Sequence, residues 1–234
     1  SYRRIICLTE ETVETLYLLG QEDRIVGVTG YAVRPARVRA EKPRVGAFTS
    51  ADLPKILALR PDLVLGFSDL QADIAAGLIR AGIEVHVFNQ RDVAGILRMI
   101  RNLGAMIGCA DQADALAAGY EARIAALRVV ERPQAPRVFV EEWDDPLISG
   151  IGWVSELVAI AGGQDVFPEL AAEGLAKDRI LLPKQVPPRA PEVILASWCG
   201  KKVVPARIAA RPGWDAVPAV RNGRIHELKS PLIL

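Results

Sequence analysis

The sequence predicts an α/β protein of two lobes, each built on a mostly parallel sheet, with a long helix between them. Strand and helix patterns alternate over residues 5–88 and again after residue 136, which is typical of parallel sheets covered by helices. Residues 92–131 show no strand pattern. A phrase also occurs twice, at 59–66 and 188–196, as a helix end, a proline, an acidic residue and an apolar run. This repeat favours two similar lobes.

Composition narrows the function classes. Half of the 234 residues are apolar, so a sizeable core is expected, and the net charge of +1 argues against a dedicated nucleic-acid binder. No apolar run reaches the length of about 18 residues that a membrane span needs. Cys7, Cys109 and Cys199 are odd in number and widely spaced, which indicates buried thiols rather than a zinc site.

The predicted first lobe follows from short apolar runs and helical spacing. The strands are expected at 5–8, 25–28, 63–65 and 85–88. The helices are expected from a Thr9 cap to Gly20, at 52–59 and at 72–81. Residues 30–46, rich in arginine and proline, are expected to form a loop.

The middle of the chain is predicted to be helical at 93–107 and 110–129, with Gly104 and Gly108 separating or bending the two segments. A break over 132–136 then starts the second lobe. Its strands are expected at 137–142, 193–196 and 224–227, and a helix at 153–161. The resulting domains are 1–108, a connecting helix 109–132, and 133–234. We expect a further C-terminal helix to follow in the complete protein, because nothing covers the last strand.

Several stretches together resemble the helical-backbone (class III) solute-binding proteins of ABC importers, which bind metal chelates. The resemblance is strongest to the cobalamin-binding members. The stretches are RIICLT at 4–9, ETLYLLG at 14–20, DRIVGV at 23–28, LPKILALRPDLV at 53–64, PLISG at 146–150, AGGQDVF at 161–167 and PAVRNGR at 218–224.

The resemblance implies two Rossmann-like lobes with parallel sheets, joined by a long backbone helix, with a ligand cleft between them. The ligand it implies is a cobalamin-like corrinoid, or alternatively haem or a ferric siderophore, without a covalently bound cofactor. Ligand-contacting aromatics of the family fall at Phe48 and Phe67. Arg34 occupies another position that is aromatic in the family, and further such positions lie near Leu147 and Leu181. The cleft is therefore expected to differ from that of the cobalamin binders.

The resemblance also implies a permease partner that docks on one acidic residue of each lobe. Here those positions are Pro54 and Lys184, with Asp52 and Glu192 nearby in sequence. We expect no signal peptide within this sequence, because no apolar region with a small-residue cleavage site comes before the first predicted strand. Both a periplasmic protein whose signal peptide has been removed and a cytoplasmic one stay open. We expect a monomer without nucleic-acid partners.

Candidate ligand contacts are aromatic and charged residues at or after strand ends, because ligands of α/β sheets bind at the carboxyl ends of the strands. Aromatic faces suit a flat macrocycle, and charged groups suit its polar rim. Glu142 is preferred over its acidic neighbours, which are expected on the surface, and Glu141 and Glu142 are expected to point to opposite faces of the strand. The candidates are Tyr31, Arg34, Phe48, Thr49, Phe67, Ser68, Glu142, Trp143, Trp153, Trp198 and Lys201.

The sequence predicts a binding protein rather than an enzyme, because it carries no phosphate-binding loop, no nucleophile elbow and no His/Cys metal spacing. His86 and His226 lie within predicted strands, where a structural role is favoured over axial ligation. We expect Phe67→Ala and Trp198→Ala to weaken ligand binding without unfolding the protein. The alternatives are a cytoplasmic corrinoid or haem sensor or carrier, and a metal-centre protein similar to nitrogenases and chelatases.

Overall fold

The structure is a computed structural model that describes residues 1–128, 130 and 133–233. The predicted helix end at Val129, the first residue of the predicted break, Arg132, and the terminal Leu234 lie outside the described residues. The chain divides into two compact units. Unit 1 contains Ser1–Gln90 and Ala94–Glu121, and unit 2 contains Arg91–Val93 and Ala122–Leu234.

Unit 1 is built on a six-stranded sheet with the order β4-β3-β2-β1-β5-β6. All neighbouring strands are parallel except β3 and β4. The strands are β1 (Ile5–Cys7), β2 (Ile25–Thr29), β3 (Arg44–Ala47), β4 (Ser50–Ala51), β5 (Leu63–Phe67) and β6 (Val85–Phe88). All of β1 is buried, as is β5 up to Gly66. The all-apolar runs in the sequence are therefore the central strands, covered on both faces.

The helices of unit 1 are α1 (Glu10–Leu18), α2 (Val38–Glu41), α3 (Leu53–Ala58) and α4 (Ala72–Arg80). Asp52 caps α3 with its side chain, which accepts a hydrogen bond from the Lys55 amide at 3.0 Å. Thr9 occupies the predicted N-cap of α1, but its side chain makes no capping bond. The Thr9 hydroxyl donates instead to the Glu11 carboxylate at 2.9 Å.

The predicted loop at 30–46 is wrong in part, because it contains α2 and β3. Val38 and Val45 are almost completely buried. Each of these two elements, which lie in an arginine-rich stretch, therefore packs one valine into the core. The Gly30 amide also donates to the Gly46 carbonyl oxygen at 2.7 Å. Elements this short carry no apolar periodicity, which explains why the sequence pattern did not predict them.

Two longer helices follow, α5 (Val93–Ile107) and α6 (Ala110–Arg128). Gly108 ends α5 in the left-handed region with a φ of 79°. Gly104 lies where α5 packs against α6, and an added Cβ there would lie 2.1 Å from the Ala113 Cβ. The two predicted helices are confirmed. Gly108 lies at the break between them, and Gly104 lies at their close contact.

Unit 2 has a second six-stranded sheet with the order β10-β8-β7-β11-β12, and β9 pairs with β7. Its strands are β7 (Arg137–Asp144), β8 (Leu147–Ser149), β9 (Gln164–Asp165), β10 (Ile180–Leu181), β11 (Val193–Ala196) and β12 (Ile225–Glu227). Its helices are α7 (Gly152–Ile160), α8 (Pro168–Ala171), α9 (Pro205–Ala209) and α10 (Pro218–Arg221).

The sheet of unit 2 is mixed, because β8 is antiparallel to both β7 and β10. The sequence analysis did not predict β8, β9 or β10, which have two or three residues each. The core of this unit is aromatic. The rings of Phe139 and Trp214 meet edge to face with centroids 6.2 Å apart. Leu147 and Leu181, the positions near which the resemblance expects aromatics, belong to the same buried cluster.

Candidate functional site

The strands β1, β2, β5 and β6 of unit 1 are parallel, so their carboxyl ends lie along one edge of the sheet, the carboxyl edge of unit 1. Tyr31 and Arg34 follow β2 at this edge. The Tyr31 side chain is 49% exposed. The Arg34 guanidinium pairs with the Glu14 carboxylate of α1 at 2.9 Å. An exposed phenol and a half-exposed cation are therefore present here.

A buried glutamine that the sequence analysis missed connects several of the predicted ligand contacts. Gln71 is 1% exposed. Its side-chain Nε2 donates to the carbonyl oxygens of Phe48 (2.8 Å) and Leu8 (3.2 Å), and its Oε1 accepts from the Phe67 amide at 2.9 Å. Gln71 therefore fixes the backbone at both predicted aromatics, Phe48 and Phe67. The available signal was a polar residue four positions after an aromatic strand end.

The residues next to these aromatics complete this part of the edge. Thr49 is exposed in the turn between β3 and β4. Ser68 is 3% exposed and adopts a φ of 63°, which is uncommon for a residue other than glycine. Its hydroxyl oxygen accepts from the Leu70 amide at 3.2 Å. Ser68 thus stabilises the turn after β5 with its own side chain, and no face of it is open.

An acidic cluster lies at the same edge, formed by Glu10 and Glu11 of α1 and by Gln90, which follows β6. The Gln90 Nε2 donates to the Glu11 Oε1 at 3.2 Å. Burial raises the pKa of Glu10 to about 7, and the neighbouring Glu11 adds to the increase. Burial also raises the pKa of Glu11, against the hydrogen bonds that lower it.

Replacing Glu10 by glutamine is expected to flatten the dependence of stability on pH. Folding holds a proton on Glu10 that the unfolded chain releases near its usual pKa of 4.5. The wild-type free energy of unfolding therefore falls as pH rises through the window from about 4.5 to about 7. At pH 8 the variant should be the more stable by about 1 to 3 kcal/mol. Urea unfolding at pH 5 and pH 8 measures this difference.

The matched control is Asp73→Asn, which removes an exposed carboxylate from the first turn of α4. It should change stability by less than about 0.5 kcal/mol at either pH. If the free energy of unfolding of the wild-type protein depended on pH as weakly as that of Glu10→Gln, the expectation would be contradicted.

In unit 2 the predicted ligand contact Glu142 is partly buried, with a side chain that is 16% exposed. Its carboxylate makes a two-bond pair with Arg179, with N···O distances of 2.6 and 3.1 Å. The Arg179 side chain is 1% exposed and also donates to the Ser149 carbonyl oxygen. Glu142 further accepts from the Ile151 amide at 3.1 Å. Glu142 therefore pairs with a buried arginine, and its role as a ligand contact stays a prediction.

Glu141 is also misplaced by the sequence analysis, which expected it on the surface. Its side chain is completely buried and pairs through two bonds with Arg211 at 2.6 and 2.8 Å. The Trp198 Nε1 donates to the same carboxylate at 2.9 Å. The predicted opposite directions of the two glutamates agree with these contacts, because they bind different partners.

Trp143 lies near the end of β7 and Lys201 follows β11, and their side chains meet. The Lys201 Nζ is 2.6 Å from the Asp144 carboxylate, 4.5 Å from the centre of the Trp143 ring and 5.0 Å from that of Trp198. The Asp144 side chain is only 5% exposed, so it is not the surface residue that was expected. Burial raises the pKa of Asp144, but the hydrogen bond and charge of Lys201, together with the Arg207 guanidinium 3.6 Å away, hold this pKa below its usual value.

The other two predicted tryptophans are packing residues in this structure. Trp198 is 2% exposed and belongs to the core of unit 2, which corrects the expectation that its ring is open to a ligand. Trp153 packs against the apolar cluster around Val154. Its Nε1 donates to the Ile233 carbonyl oxygen at 2.7 Å. Both indoles therefore use their polar atom inside the protein, as buried tryptophans usually do.

The positions where the resemblance expects docking acids are on the surface. Pro54 and Lys184 are both exposed. Asp52 is exposed as well, but caps α3. Glu192 accepts a hydrogen bond from the Arg137 amide at 2.9 Å. Each nearby carboxylate is thus engaged by its own unit.

The remaining candidate residues are the three cysteines and His86. Burial raises the pKa of the Cys7 thiol to about 12, and Cys109 is also buried, whereas Cys199 is exposed. The rings of His86 and Phe88 meet edge to face, with centroids 4.4 Å apart. In the described part of the chain, no three His, Cys, Asp or Glu side chains are arranged to hold a metal ion. The same residues include no helix with the length and apolar character of a membrane span.

Two α/β units, with the chain passing from one to the other through α6 and with aromatic and polar groups at their strand ends, define a two-lobed binding protein. The chain belongs to the periplasmic binding protein family, which it matches over residues 5–232. The fold class predicted from the sequence, two α/β lobes with a connecting helix, is confirmed.

Three individual proteins illustrate the relationship. The vitamin B12-binding protein of Yersinia pestis is 27% identical over 90% of this chain and 79% of its own length. An uncharacterized ABC transporter substrate-binding lipoprotein of Bacillus subtilis is 24% identical over 99% of this chain and 74% of its own. The periplasmic heme-binding protein of Roseiflexus, solved in apo form, superimposes with a TM-score of 0.87 at 24% identity, over 100% of this chain and 92% of that one. This last likeness concerns the fold.

Proposed function

We propose that the chain is the solute-binding component of an ABC importer and that it binds a metal chelate, a cobalamin-type corrinoid ahead of haem or a ferric siderophore. The observation that carries the proposal is the family match over residues 5–232, together with a vitamin B12-binding relative that aligns with 90% of the chain. The relative named as an ABC transporter substrate-binding lipoprotein supports the transporter partner and a site of action outside the cytoplasm.

The proposed ligand contacts are the strand-end groups with accessible surface. In unit 1 these are Tyr31, which is half exposed, and the part-buried rings of Phe48 and Phe67. In unit 2 they are the part-buried Trp143 and the ammonium of Lys201 above it. Aromatic faces offer a flat macrocycle a large contact area at a small entropic cost. Glu142 and Trp198 support this surface from within.

Titration of the purified protein with cobalamin, haem and a ferric siderophore tests the proposal. Tryptophan fluorescence, corrected for absorption by the ligand, and calorimetry report binding. We expect saturable binding of the corrinoid, and an affinity about three- to tenfold lower for Phe67→Ala, which loses one aromatic contact. Binding of haem or the siderophore alone would move the assignment to that chelate. Binding of none would overturn the chelate assignment.

A second candidate function is a cytoplasmic corrinoid or haem carrier that delivers its ligand to a protein other than a permease. The exposed Pro54 and Lys184 favour it, because the resemblance expects a docking carboxylate at each of these positions. Cell fractionation of the full-length protein, expressed from its own start codon, separates the two candidates. Recovery outside the cytoplasm supports the importer component, and recovery only in the cytoplasm supports the carrier.

A further inference from the structure

The acidic cluster of Glu10, Glu11 and Gln90 lies wholly within unit 1, at its carboxyl edge. Glu10 and Glu11 begin α1 immediately after β1, and Gln90 comes two residues after β6. One oxygen of Glu11 accepts from both the Thr9 hydroxyl (2.9 Å) and the Gln90 amide nitrogen (3.2 Å). These two bonds fix the Glu11 carboxylate and the Gln90 amide side by side.

The cluster contains acceptors that the protein itself does not satisfy. Gln90 is 8% exposed, and among the residues that the structure describes its Oε1 has no hydrogen-bond partner. In the described part of the chain, neither Glu10 nor Glu11 forms a salt bridge with a cation. A buried polar atom without a partner is rare in native proteins, and it usually indicates a ligand, a water or an ion that completes the site.

A ligand that completes the acidic cluster has to supply hydrogen-bond donors. Two carboxylates and an amide carbonyl oxygen accept hydrogen bonds, and an N–H group donates them. A ligand carboxylate placed here would instead face two acidic side chains and an amide acceptor. We propose that the acidic cluster is a ligand subsite that binds N–H groups of the transported solute, specifically peripheral carboxamides, and that it disfavours peripheral carboxylates.

This inference rests on the proposed function and narrows its ligand class. The rim of a cobalamin-type corrinoid carries carboxamide side chains, whereas the rim of haem carries two propionate carboxylates. The acidic cluster therefore favours the corrinoid over haem, independently of the aromatic contacts.

The test uses two corrinoids that differ at the rim, dicyanocobinamide with carboxamides and dicyanocobyrinic acid with carboxylates. Calorimetry at pH 8 compares the wild-type protein with Glu10→Gln, Gln90→Met and the control Asp73→Asn. We expect the wild-type protein and the control to prefer the amide by at least about tenfold. Glu10→Gln should bind the amide about tenfold more weakly and the acid more tightly, because one repelling charge is gone. Gln90→Met should weaken amide binding alone.

The opposite effects of Glu10→Gln on the two corrinoids distinguish a subsite from a structural role, because a general loss of folding would weaken the binding of both equally. Thermal unfolding of each variant checks that the compared proteins are folded. An amide preference that is the same in the wild-type protein and in both variants would overturn the subsite while leaving the proposed function in place. Binding of neither corrinoid by the wild-type protein would instead overturn the corrinoid assignment, and the subsite with it.

Discussion

Replacing Arg211 by methionine is expected to destabilise the protein by about 3 to 5 kcal/mol, because it leaves a buried carboxylate without its cation. Glu141 is completely buried, and Arg211 supplies two of its hydrogen bonds at 2.6 and 2.8 Å. The Trp198 Nε1 donates a further hydrogen bond to this carboxylate at 2.9 Å. Methionine keeps much of the aliphatic volume of arginine, so the loss measured by urea unfolding reports mainly the charge.

Arg207→Met provides the matched control. Arg207 is 64% exposed, and its guanidinium lies 3.6 Å from the Asp144 carboxylate, so its removal should change stability by less than about 1 kcal/mol. Adding Glu141→Gln to Arg211→Met removes the uncompensated charge, and we expect this double variant to recover at least half of the lost stability. A loss of stability no larger in Arg211→Met than in Arg207→Met would show that the buried pair is not a source of stability.

The sequence was sufficient to predict most of the regular elements, because their signals are local. The apolar run of β11 and the spacing in α5 each identify an element without knowledge of the rest of the chain. Very short elements such as β8 and β10 carry too few residues for a period to be visible. They form because a neighbouring strand offers its edge, which is a tertiary effect.

The candidate site could be predicted only in outline, because side-chain partners lie far apart in sequence. Alternation along β7 was enough to separate Glu141 from Glu142. Their partners Arg211 and Arg179 lie 70 and 37 residues away, and no local pattern indicates which carboxylate meets which arginine. For the same reason Gln71 and Gln90 were not recognised, although each binds groups at the carboxyl edge of unit 1.

Phe67 and Trp198 demonstrate this limit most clearly. Both follow a copy of the same repeated phrase, and from the sequence both were expected to contact the ligand. Phe67 ends β5 as a part-buried side chain, whereas Trp198 enters the core of unit 2. Glu141, on the neighbouring strand β7, accepts the indole N–H of Trp198 there.

Trp198→Ala is therefore expected to lower the free energy of unfolding by about 3 to 5 kcal/mol, the range for a large aromatic removed from a core. The indole is 2% exposed, and its loss also removes a donor from Glu141. Because both changes act on Glu141, the effects of Trp198→Ala and Arg211→Met should not add. Urea unfolding followed by far-ultraviolet circular dichroism measures the loss without relying on the deleted fluorophore.

Phe67→Ala is the informative comparison, because Phe67 follows the other copy of the phrase. It should lose ligand affinity and little stability, whereas Trp198→Ala should lose stability and, under conditions where it stays folded, keep its affinity. The reverse pattern, a stable Trp198→Ala protein with weakened binding, would reinstate Trp198 as a ligand contact. It would then require the indole to leave the core when the ligand binds.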